Sequence, residues 1–162
     1  MPAAAILIRP GEKQDVHFLR DLVRHTGLER SGQPIDEEPP PLSRYVAGWG
    51  RVGDASVIAL DDVTHVPVGA AWYRLFSAAE PGFAFLDEDT PELTLAVVPA
   101  RRGQGIGEQL LQAAVRSARL AGFAAVSLSV AEDDPALGLF ERNGFTVAGQ
   151  RGGAVTMRLE LV

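Results

Sequence analysis

The stretch from Leu93 to Gly122 constrains this chain more than any other. Residues 93–98 form an apolar run that stops at Pro99, which has no amide for a continuing central strand. Glycines then stand at 103, 105 and 107. Ile106, Leu110, Ala114 and Ala118 follow at a spacing of four, flanked by Leu111 and Val115. That is the pattern of a helix over 106–121 with one apolar face, ended by Gly122. A strand therefore feeds a glycine-rich turn at a helix start. The first amides of a helix have no partner within it, and its dipole adds positive potential there. Glycine removes the Cβ atoms that hold a ligand away from the backbone. The loop Arg102, Gly103, Gln104, Gly105, Ile106 and Gly107 is thus shaped to cradle an anion, above all a pyrophosphate, with Arg101 and Arg102 at its rim. A ligand-free strand-to-helix turn is the competing reading of the glycines alone. The spacing GxGxG falls short of a dinucleotide fingerprint, and the Gly-Lys-Ser/Thr of a Walker loop is absent.

The rest of the chain surrounds this unit with short strands. Residues 4–8 read as a first strand, and Asp15 as the cap of a helix carrying Val16, Leu19, Leu22 and Val23, which stops near Gly27. Residues 31–41 are rich in proline and acid and read as a loop; a short helix follows from Ser43 through Tyr45 and Val46. Residues 56–60 and 66–76 read as a hairpin. Residues 77–90 read as a second acidic loop. Residues 123–130 form a strand, Pro135 starts a short helix to Arg142, and residues 145–149 and 155–161 close the chain as a hairpin. This order predicts one α/β (α+β) domain over 1–162. Its core is a mixed, mostly antiparallel sheet of six to seven strands flanked by about four helices.

Composition removes several classes of function. The chain has 162 residues and no cysteine, which excludes disulfides, thiolate-bound zinc and a thiol nucleophile. Its formal net charge is −6, and no cluster of basic residues alternates with aromatics, so no nucleic-acid partner is expected. No apolar run is long enough to span a membrane, and a cytoplasmic location is expected. His17, His25 and His65 have no ligand spacing, so no metal is expected.

Two segments resemble the GNAT superfamily of N-acetyltransferases. The loop from Arg102 to Gly107 matches its Arg/Gln-x-x-Gly-x-Gly/Ala signature after a strand ending in Val97-Val98-Pro99. The stretch Asp134-Pro135-Ala136 followed by Leu139-Phe140-Glu141-Arg142-Asn143-Gly144-Phe145 is similar to the family's Asn-Pro-Ala…Leu-Tyr-Glu-Lys-x-Gly-Phe segment. The resemblance implies that Ala96, Val97 and Val98 pair with the pantetheine arm of acetyl-CoA while the loop amides hold its pyrophosphate. Asp134 stands where the family's Asn contacts the same arm. Phe140 stands where the family commonly has a tyrosine acid. Phenylalanine has no proton to give, so Tyr73, Ser129 or water is expected in its place, or the thiolate leaves unprotonated.

The resemblance also implies direct transfer of an acetyl group to a primary amine of a small molecule or peptide. Glu92 is then the candidate base, and the amide near Val97 the donor to the oxyanion. Tyr45 and Trp49 belong to the short helix that borders the acceptor in the family. Trp72 and Tyr73 point to opposite faces of a central strand, one toward the core and the other toward the acceptor. The acidic runs Asp36-Glu37-Glu38 and Asp87-Glu88-Asp89 suit either a cationic acceptor or solvated loops. A homodimer is compatible with the resemblance. The alternative reading is a non-catalytic acyl-CoA-binding or sensing module.

Overall fold

The computed structural model describes residues 5–26, 28 and 40–162. Seven strands form one sheet in the order β1-β2-β3-β4-β5-β7-β6. They are β1 Ile6–Pro10, β2 Ala55–Asp61, β3 Pro67–Arg74, β4 Glu92–Val97, β5 Ala125–Ala131, β6 Thr146–Arg151 and β7 Ala154–Glu160. The helices are α1 Val16–Leu22, α2 Ile106–Leu120 and α3 Leu137–Arg142. The strands and the long helix fall where the hydrophobic pattern places them, within one to three residues. The stop expected at Gly27 and the acidic run at 36–38 lie outside the described residues, as does the start of the first strand at residue 4.

The helix expected after Ser43 is a 3-10 turn, Leu42–Tyr45. The six residues between Pro41 and Gly48, whose φ is +63°, are too few to sustain an α-helix. Asp15 precedes α1 but makes no cap bond to it. Its carboxylate instead accepts the Arg9 guanidinium at 2.7 and 2.9 Å and the Glu12 amide at 2.6 Å.

β1 to β4 run antiparallel to their neighbours, as do β5, β7 and β6. The two groups meet along β4 and β5, which are parallel and share one register pair, Glu92 with Ser127. Beyond that pair the strands diverge. α2 covers one face of the sheet, packing Ile106, Leu110, Leu111 and Ala114 with Tyr73, Leu93, Val126, Leu128 and Met157. α1 and the Leu42–Tyr45 turn cover the other, packing Leu19, Leu22, Tyr45 and Val46 with Ile58, Ala70, Trp72 and Ala96. β3 lies between these layers and is buried from Val68 to Arg74. That explains why its sequence reads as a continuous apolar run rather than an alternation.

Candidate active site

The divergence of β4 from β5 opens a cleft of about 560 Å3, including its mouth. Leu93, Thr94 and Leu95 form one wall, and Leu128, Ser129, Val130 and Ala131 the other. Thr26 and Leu28 close one side, and Asp134, Ala136 and Phe140 the opposite one. The hydrogen bonds at its two ends fix which backbone groups face it. The Ser127 amide donates to Pro91 O at 3.0 Å, and the Val98 amide donates to Val68 O at 2.9 Å. Main-chain groups alternate sides along a strand, and the N–H and C=O of one peptide unit point in opposite directions. Leu93, Leu95 and Val97 therefore direct both N–H and C=O away from β3, toward the cleft. Of the three residues expected to meet a pantetheine arm, Val97 is the one whose main-chain groups face the cleft. Ala96 is paired across to β3 at Ala70, and Val98 uses its amide on Val68 and its carbonyl on the Arg101 amide at 3.0 Å.

The glycine loop lies at the end of the same strand. A 3-10 turn, Pro99–Arg101, leads into Gly103 and Gly105, whose φ angles are +77° and +81°. Only glycine takes this left-handed conformation without strain. A Cβ at either position would meet nothing within 4 Å, so the space above both is open. Gly105 is the N-cap of α2, and no side chain caps that helix. The first-turn amides of a fifteen-residue helix thus remain available to an anion.

The two arginines take different roles. Arg101 donates to Asp61 Oδ2 at 2.9 Å and to Gln104 Oε1 at 3.0 Å. It braces the loop against the end of β2. Asp61 also accepts the Val63 and Thr64 amides, and these bonds, followed by that from Arg101, hold its pKa down at about 2. Arg102 donates to Val97 O at 3.2 Å and to His25 O at 3.3 Å. It thereby covers the carbonyl that the strand geometry turns toward the cleft. Glu108, in the first turn of α2, accepts Asn143 Nδ2 at 2.9 Å and lies 3.6 Å from Arg142.

Glu92 stands where the strands part. It is 2% exposed, not a solvated strand end. The Tyr45 hydroxyl donates to its Oε1 at 2.5 Å, and among the described residues no hydrogen bond of good geometry reaches its Oε2. Burial raises its pKa to about 7; the Tyr45 bond, the nearby Ala84 amide and the charge of Arg151 pull it down. A Cβ on Gly82 would fall 2.0 Å from Oε2, so the chain closes directly on the carboxylate only because residue 82 is glycine.

The aromatic residues divide. Tyr45 is 1% exposed and joins Glu92 at this point. Trp72 is fully buried, with its indole N–H on Tyr45 O at 3.2 Å. The Tyr73 hydroxyl lies 2.9 Å from Ser117 Oγ on α2, and its ring stands edge-on to Phe123. Both Trp72 and Tyr73 are thus core residues, and neither lines the cleft. The Tyr73 hydroxyl is engaged on α2 and not at the position expected of a substitute acid, whereas Ser129 lines the cleft with Phe140. Trp49 is half-buried under the Arg74 guanidinium, 5.2 Å from its ring centre. Phe140 packs edge-on to Phe145. Asp134 turns the chain toward α3 by accepting the Ala136 amide on Oδ1 at 2.8 Å.

Sequence reasoning passed over Arg74. It is 1% exposed and holds Asp54 with two bonds, at 2.9 and 2.7 Å, while donating to the Arg44 and Ala47 carbonyls. This network seats the turn that carries Tyr45. The signal was a cation ending the apolar run of β3; its partner, twenty residues earlier, had none. In the second acidic loop, Asp87 accepts the Asp89 amide and the Thr90 hydroxyl, and Glu88 accepts the Ala78 amide. Those carboxylates close their own loop.

The description "Acetyltransferase (GNAT) family" matches residues 18–145. The chain belongs to this family. No match was found among curated protein sequences. Among solved structures, the chain is similar to YncA, a putative acetyltransferase from Salmonella typhimurium with acetyl-CoA, at a TM-score of 0.71 and 19% identity over 98% of this chain and 95% of that one. It is also similar to a GNAT phosphinothricin acetyltransferase from Sinorhizobium meliloti in complex with acetyl-CoA, at 0.67 and 19% over 96% and 88%. A third likeness is to a spermidine N-acetyltransferase chimera from Vibrio cholerae and hSSAT, at 0.65 and 16% over 98% and 96%. These likenesses bear out the expected GNAT fold. Its sheet has seven strands, with three α-helices among the described residues rather than about four.

Proposed function

We propose that this GNAT protein transfers an acetyl group from acetyl-CoA to a primary amine of a small molecule or peptide. The observation that carries the reading is the continuity of site features. An open helix start at Gly105, the outward main-chain groups of Val97 and a buried carboxylate at Glu92 lie along one strand and its exit. The loop amides suit a pyrophosphate, and Val97 suits an amide-bearing arm once Arg102 leaves its carbonyl. In the reaction the amine nitrogen bonds to the thioester carbon, the C–S bond breaks, and CoA departs as thiolate. The Val97 N–H is placed to donate to the oxygen that becomes negative.

An alkylamine of pKa about 10.4 is almost wholly protonated at pH 7, which costs roughly 4–5 kcal/mol before attack. Glu92 is the group assigned to take the proton, directly or through water, because a pKa of about 7 suits a base at that pH. Phe140 supplies no acid. A thiol of pKa about 8.5 leaves without one at a modest cost.

Release of free thiol from acetyl-CoA, measured across an amine library with wild type and Glu92→Gln, tests the proposal. Acceptor-dependent release that falls at least tenfold in the variant is expected. Calorimetry with acetyl-CoA, CoA and NAD runs beside it, and NAD binding without CoA binding would overturn the reading. Phe140 favours one alternative, an acyl-CoA-binding module without catalysis. That reading predicts acetyl-CoA binding and no thiol release with any amine.

A further inference from the structure

We propose that Tyr45 is the positioning residue of the base, holding the Glu92 carboxylate in place while it also bridges to the segment 82–84. The inference rests on Glu92 as the base and deepens that reading. The Phe83 amide donates to the Tyr45 hydroxyl at 2.7 Å, and the hydroxyl in turn donates a hydrogen bond to Glu92 Oε1 at 2.5 Å. The chain thus runs from loop amide to phenol to carboxylate. Ser127, the register partner of Glu92, donates its hydroxyl to Ala84 O at 2.8 Å and ties the same segment to the strand. Arg44 adds a bond to Pro81 O at 2.6 Å.

The result is a carboxylate whose Oε1 is held by Tyr45, with the Ala84 amide of the same segment also acting on it. Oε2 faces Gly82, with no hydrogen bond of good geometry among the described residues and no room for a Cβ. Oε2 is closed off from solvent with Gly82 directly against it, so in this proposal an acceptor or water reaches it by lifting segment 82–84. Lifting it withdraws the Phe83 amide from Tyr45, which leaves the phenol to hold Oε1 alone. Tyr45 therefore keeps the carboxylate oriented during the opening.

The charged groups around Glu92 are few. Arg74 lies opposite on β3 but is committed to Asp54. Arg158 follows Ser127 in the register on β7, Arg151 acts on Glu92 through its charge, and Arg44 lies next to Tyr45. None of these hydrogen-bonds the carboxylate among the bonds described, whereas Tyr45 does. Tyr45 itself is kept protonated by burial and then by Glu92, so it serves as a donor throughout the physiological range.

The test uses Tyr45→Phe in the full chain with two readouts that need no acceptor. In glutamate-13C-labelled protein, the Glu92 carboxyl signal, assigned through Glu92→Gln, is titrated by NMR. Exchange of the Phe83 amide is followed in the same samples. Tyr45→Phe should raise the Glu92 midpoint by at least half a pH unit and speed Phe83 exchange at least tenfold, with acetyl-CoA affinity within threefold of wild type. An unmoved midpoint would overturn the proposal. Once an acceptor is found, the acidic limb of kcat/KM should shift by the same amount. If Glu92→Gln keeps full turnover, the base reading fails; if that variant is inactive and Tyr45→Phe leaves the limb in place, only the role of Tyr45 fails.

Discussion

Glu92 exists in two protonation states with different effects on the folded chain. Folded, it holds its proton up to about pH 7; unfolded, it ionises near 4.5. The stability it contributes is fully present below about pH 4.5 and is lost as the pH rises to about 7. The limit of that loss is about 3 kcal/mol, at 1.36 kcal/mol per unit. Glu92→Gln should flatten this decline, so urea denaturation at pH 5 and pH 8 should give more similar stabilities for the variant than for wild type. Arg74 is held by its counterion. Removing Asp54 leaves its cation buried without one, and Asp54→Ala should cost about 3–5 kcal/mol. Thermal unfolding of that variant checks this, with the midpoint expected to fall by roughly 6–20 °C.

The elements were legible where local chemistry settles them. α2 carries its own start and stop in Gly105 and Gly122, and the hairpin of β2 and β3 is bracketed by Asp61 and Pro67. The glycine loop was readable as an anion nest for the same reason, since its φ angles and the open space above it depend on its own residues. What could not be read was pairing across the sheet. Nothing local to Glu92, beside Pro91 at the start of β4, signals burial; Tyr45 and Gly82, forty-seven and ten residues upstream, close over it. Ala96 and Val98 looked equivalent to Val97 until the bonds at each end of β4 fixed the alternation. The roles of Arg101 and Arg102 depended likewise on distant partners, Asp61 and His25. The loop carries its own predictions. Gly105→Ala should cost about 1–2 kcal/mol of stability from left-handed strain and weaken acetyl-CoA binding measured by calorimetry. Asp61→Ala frees the Arg101 brace and should lower the same affinity a few-fold with little effect on the melting temperature.

At the scale of the molecule, the family's sheet, the two packed faces and the cleft between β4 and β5 form one arrangement. Among the described residues no helix is long and apolar enough to cross a membrane. A ligand that binds only the folded chain stabilises it by about 2.7 kcal/mol at one hundred times its dissociation constant. For a chain of this size that corresponds to a rise in melting temperature of roughly 5–11 °C. Acetyl-CoA should produce this shift in a thermal scan, and Gly105→Ala should reduce it.

The single register pair between β4 and β5 should have a cost for the protein in storage and expression. Past Glu92 and Ser127, no strand among the described residues covers the facing edges of β4 and β5. Unpaired strand edges are templates for joining another chain. The free protein should therefore be more prone to aggregate than its complex, and light scattering at a fixed temperature should fall as acetyl-CoA is added. On the proposed function, acetyl-CoA would also act as a solubilising wedge, and the protein should keep best when it is never left empty.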